Sequence, residues 1–205
     1  MVLGVLAFLW NVWNWFEGAE VNLFSPDQVT IARSDQVSYP MRGEAPYVLF
    51  ILKMSYTNEG APQYSSVVRR ERLVLELPGR NPVEHHWFRV VSADIGKQGD
   101  KLVVNRLHES RPFPVQAGSA TSHETLFQPW PHKCPEERQD CNPRKNYLTW
   151  DSFLNIIDKH KTLRIKLFAD IYGRDDLVTA RCETILTDEN AQDLKSRNWI
   201  STTCS

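Results

Sequence analysis

Glycine and proline are sparse in this chain. Nine and twelve of them in 205 residues exclude a collagen-like or low-complexity protein. An excess of basic charge is also missing. The 24 Lys and Arg stand against 25 Asp and Glu, a net charge of −1, which argues against a dedicated nucleic-acid binder. No Walker sequence, GxGxxG, HExxH or GxSxG occurs, so nucleotide-binding, zinc-protease and hydrolase readings have no local motif behind them. No cysteine pair has CxxC spacing, which leaves zinc-finger and thioredoxin readings unsupported. No Lys or Arg lies ahead of Glu17, so the start lacks the positive region of a secretory signal.

What is present is enough apolar residue to bury a core: 41% hydrophobic against 24% charged. Residues 2–16 are apolar apart from Asn11 and Asn14, with Trp10, Trp13 and Trp15 at the far end. As a helix they span roughly 23 Å, against a bilayer core of about 30 Å. Clustered tryptophans favour a lipid–water interface. We read residues 1–19 as a hydrophobic membrane-anchor helix that contacts lipid through 2–16. An amphipathic helix docked on protein and a cleaved signal are the competing readings.

The four cysteines are Cys134, Cys141, Cys182 and Cys204. Cys134 and Cys141 flank a polar loop that buries little by itself. Cys182 lies in a strand pattern and Cys204 near the tail. Four cysteines allow three connectivities, and the expected set is 134–141 with 182–204. Disulfides beside a hydrophobic leader point to an oxidising, extracytoplasmic location, periplasmic or extracellular.

Residues 20–205 read as one mainly β domain. Residues 47–52 are apolar on both faces, then alternate from Lys53, as expected of a strand buried on both sides at one end only. Leu73, Leu75 and Leu77 share a face, and so do Leu163, Ile165, Leu167, Ala169 and Ile171. Within 83–93, Phe88 and Val90 are expected to point inward. Trp150, Phe153, Leu154 and Ile157 have helical spacing, which predicts a short helix over 149–160. Thr187 or Asp188 is placed to cap a last helix running through Arg197. Strands about every ten residues, with turns between, predict an immunoglobulin-like antiparallel β-sandwich with a loop-and-helix insertion at 128–160.

Few constellations suggest chemistry. His85 and His86 are adjacent, so on a strand they face opposite ways. Either could pair with His108, His123 or His132 from neighbouring strands or loops in a copper or zinc site. Ser122-His123-Glu124 holds a nucleophile, a base and an acid, but consecutive residues rarely build a triad. Arg69, Arg70 and Arg72 with Glu71 form a charged strip expected to be a solvated face. Trp130 between Pro129 and Pro131 is a stiff aromatic projection, suited to an interface or to plugging the end of a sandwich. With Tyr147 and Trp150 it supplies the candidate partner-binding residues. The resulting expectation is a membrane-anchored protein-binding or assembly module without catalysis or cofactor. The alternative is a periplasmic copper- or zinc-handling protein on a similar scaffold.

Overall fold

Alternate residues of a strand point to opposite faces, and the run over Thr162–Ile171 follows that rule closely. Leu163, Ile165, Leu167, Ala169 and Ile171 are all buried. A computed structural model describes residues 19–37, 45–60, 64–95, 102–130 and 147–205. Among these, eleven strands form: β1 (Val21–Phe24), β2 (Gln28–Arg33), β3 (Val48–Asn58), β4 (Ser66–Glu76), β5 (Val83–Ile95), β6 (Leu102–Glu109), β7 (Phe113–Val115), β8 (Ala120–Pro129), β9 (Thr162–Ile171), β10 (Val178–Ile185) and β11 (Trp199–Thr203). Two α-helices, α1 (Trp150–His160) and α2 (Asp188–Arg197), and a 3-10 turn at Ser34–Val37 complete the set.

All the strands pair antiparallel, in the order β10-β9-β4-β5-β8-β3-β2-β11; β1 adds to β3, β6 to β5 and β7 to β4. The two ends of this order meet. Ser205 and Glu183 exchange backbone hydrogen bonds of 2.8 and 3.3 Å. The hydroxyls of Thr184 and Thr202 lie 3.1 Å apart, and Cys182 is disulfide-bonded to Cys204. The result is one continuous sheet curled into a nearly closed barrel. This corrects the expected immunoglobulin-like sandwich, which needs two separate sheets packed face to face. Strand spacing along the chain is alike in both architectures; only the pairing separates them.

The main core gathers Phe50, Leu52, Met54, Leu73, Leu75, Ile165 and Leu167 with Trp150, Phe153 and Ile157 of α1. A second, smaller cluster holds Leu49, Ile51, Leu126, Ala32 and Trp199. β3 therefore feeds both clusters over its first five residues and becomes one-sided from Lys53, which is exposed. Phe88 packs against the second cluster instead of entering the main core. A bulge between Trp87 and Arg89 in the β5–β8 ladder resets the alternation there.

Both helices form where the sequence predicts. Thr149 caps α1 by accepting from Ser152 N, and Lys161 ends it in the left-handed region at φ 53°. Thr187 and Asn190 form a reciprocal capping box on α2. β11 carries little strand signal of its own: three of its five residues are Ser or Thr, and pairing with β2 makes them a strand. Residues 1–18, which include most of the expected anchor, lie outside the described residues. Among the described residues, no helix is long and apolar enough to cross a membrane.

Candidate functional site

Glu71 stands two positions before Leu73 on β4, so strand parity turns it toward the main core. It is 0% exposed. The expectation that it belongs to a solvated strip is corrected, since its charge hid a parity that the leucines make plain. A buried carboxylate is costly unless its oxygens are hydrogen-bonded. Here Tyr56 Oη donates to Oε1 at 2.6 Å and Thr125 Oγ1 donates to Oε2 at 2.8 Å. His123 Nε2 lies 3.0 Å from Oε1 and is a third donor when it carries the proton. Burial, and then the neighbouring Glu71, push the Tyr56 phenol well above its ordinary range, so it stays protonated and able to donate.

This network sits where the sheet forks. β4 pairs with β5 only from Arg72 to Leu75. Nearer its start, from Ser66 to Val68, β4 pairs with β7. β5 meanwhile takes β6 along its later residues. The connection from β6 to β7 thus crosses from one arm of the fork to the other. Three ladder irregularities surround it: between Val68 and Arg70, between Trp87 and Arg89, and between Val90 and Val91. Bulges of this kind re-aim side chains and gather beside binding sites. A cleft of about 490 Å³ opens at the fork, with Val90, His108, Arg111, Phe113 and His123 in its walls. The His123 ring meets Phe113 edge-on at 4.6 Å and stacks beside Tyr56 at 6.3 Å.

The other histidines are dispersed. His85 is fully buried, edge-on to Phe50 at 5.0 Å. Burial lowers its pKa to about 3, so the ring is neutral. His86 faces the opposite side of β5, as adjacency requires. Burial, and then Arg70, lower it to about 4. His108 Nδ1 lies 2.9 Å from the Glu109 carbonyl oxygen. His132 lies outside the described residues. Among the described residues, no three His, Cys, Asp or Glu side chains are grouped to hold a metal. Ser122, His123 and Glu124 alternate across β8. Glu124 turns away from the Glu71 network and accepts from Ala93 N at 2.7 Å, so the three form no triad.

On the outer surface, Phe168, Arg72, His86 and Gln128 make one row across β9, β4, β5 and β8. Three arginines each lie over an aromatic ring: Arg69 over Tyr172 at 5.9 Å, Arg70 over Trp130 at 5.7 Å and Arg72 over Phe168 at 5.6 Å. Trp130 also meets His86 edge-on at 4.7 Å. It is half-buried against this surface and does not project freely. Tyr147 packs edge-on against Tyr47 at 5.1 Å. Trp150 is 2% exposed in the main core, so its helical position serves packing and offers no surface to a partner. The structure brings Trp130 together with the arginines and leaves Tyr147 and Trp150 elsewhere. Cys134 and Cys141 lie outside the described residues.

No protein-family model matches the chain, and no curated protein matches it either.

Proposed function

We propose that the protein is a binding or assembly module, held at a membrane by residues 2–16 and working by contact, with no turnover. The observation that carries this reading is the set of three arginine–aromatic stacks on one outer face, centred on Trp130 and Arg70. Arginine, tryptophan and tyrosine are the side chains that carry most energy at protein interfaces. Stacking also holds their long side chains in place before binding, which reduces the ordering cost of association. Arg69 is paired with Asp170 and Arg72 with Glu84. Arg70 has no carboxylate partner among the described residues, so the face favours an acidic protein surface. The Cys182–Cys204 bridge supports an oxidising compartment outside the cytoplasm.

The test is site-specific photo-crosslinking of the full chain in its own cells. A crosslinker at Arg70 or Tyr172 should yield one discrete adduct, and one at Gln192 on α2 should yield none. Trp130→Ala should abolish the adduct with little loss of stability. Absence of an adduct at both sites, or equal labelling at Gln192, overturns the reading.

A further inference from the structure

The cleft at the fork between β4 and β5 has a charge character of its own. Its charged and titratable wall residues are His108, Arg111 and His123, and no carboxylate lines it among the described residues. Glu71 lies behind His123 and is occupied by its hydrogen-bonding partners. Arg111 makes no ion pair among the described residues and is exposed at the mouth. The remaining wall is apolar: Val90, Phe113 and the flanking Pro112 and Pro114. Proline fixes φ at both positions beside Phe113, which stiffens this wall. The volume, about 490 Å³, lies in the range of small-molecule sites.

The floor is equally well held. A fully bonded polar network in a β core is harder to build than an apolar one and tolerates few substitutions. Its effect here is to fix the imidazole of His123 against Glu71, Tyr56 and Phe113 at a set angle. Departures from the simplest packing are expected at functional sites, and here a buried carboxylate, a strand fork and three ladder irregularities coincide.

We propose that this cleft binds a small carboxylate with a flat apolar body, its charge taken by Arg111 and its body laid against Phe113 above His123. Arginine matches a carboxylate with two parallel hydrogen bonds, and Thr121, which shares the His123 face of β8, lines the same cleft. The site is distinct from the outer arginine–aromatic face and does not depend on it.

The experiment uses the purified full chain, with benzoate and phenylacetate as probes and their neutral amides as controls. Histidine-ring NMR signals are followed through each titration. The carboxylates should shift the His123 and His108 signals saturably, and the amides should bind about tenfold more weakly or worse. Arg111→Gln should weaken carboxylate binding about tenfold or more and leave amide binding unchanged. Gln192→Ala, on α2, should alter neither. The proposal is overturned if the carboxylates leave His123 unmoved. It is equally overturned if acid and amide bind alike, or if Arg111→Gln has no effect on a chain whose spectrum shows it folded.

Discussion

His123 Nε2 and Glu71 Oε1 lie 3.0 Å apart across the interior of the barrel, joining residues 52 positions apart in the chain. The contact joins β8 to β4, strands that have β5 between them in the sheet. It is available because β4 and β5 part company next to Glu71.

Replacing Glu71 should therefore be among the most damaging single changes. Glu71→Ala leaves Tyr56, Thr125 and His123 without their shared acceptor, an expected loss of about 3–5 kcal/mol. Glu71→Gln keeps the shape but turns an amide toward a donor, and about 1–3 kcal/mol is expected. Urea unfolding of the two variants measures both, and an Ala variant as stable as the parent would remove the network from the account of stability.

His85 makes stability depend on pH. Its folded value is about 3 against an ordinary 6.5, so the unfolded chain takes up the proton first as pH falls. The contribution of the neutral ring is intact above pH 6.5 and is lost progressively toward pH 3. The full loss is on the order of 5 kcal/mol. His85→Phe, close in shape and already beside Phe50, should unfold less readily in acid than the parent. Equal acid sensitivity of the two proteins would count against this assignment.

The Cys182–Cys204 bridge spans 22 positions, and a loop of that size contributes roughly 3 kcal/mol in the chain-entropy description. Reduction, or Cys182→Ala, should lower the melting temperature. It should also expose the amides of Glu183 and Ser205 to hydrogen exchange before the rest of the sheet. Uniform exchange would indicate that the seam is held by other contacts.

The anchor is tested by alkaline carbonate extraction. The full chain should stay with the membrane pellet, and a chain lacking residues 1–18 should be released. Complete release of the uncleaved full chain would end the membrane assignment.

Most strands were legible because one-sided burial writes a period of two into the sequence, as in Leu163 to Ile171. The first helix was legible through the spacing of Trp150, Phe153, Leu154 and Ile157, and the second through Thr187, whose side chain satisfies a backbone group that a helix start leaves free. Closure was legible only in the expected Cys182–Cys204 bridge, because Glu183 and Ser205 beside it carry no sign of their own that their backbones will pair. Trp199 to Thr203 alternates too weakly to announce a strand. At the candidate sites the obstacle was different. Glu71 shares parity with Leu73, but a glutamate among arginines reads as surface until Tyr56, Thr125 and His123 arrive from distant strands. Trp130 was legible as a stiff aromatic, yet its stacking on Arg70 and His86 depends on neighbouring strands that local sequence does not specify.

The two-sided burial at the start of β3 also bears on how the chain survives before it is folded. Val48, Leu49, Phe50, Ile51 and Leu52 are all needed, three for one cluster and two for the other, so no polar residue can interrupt them. An uncharged run of this kind is an aggregation hazard while it is exposed. Lys53 follows it immediately, exposed in the folded barrel, where a charge blunts growth of a misassembled strand stack. The race between β2 and β8 flanking this segment and a second chain reaching it first then sets the yield of native protein, with crowding of nascent chains weighing against it.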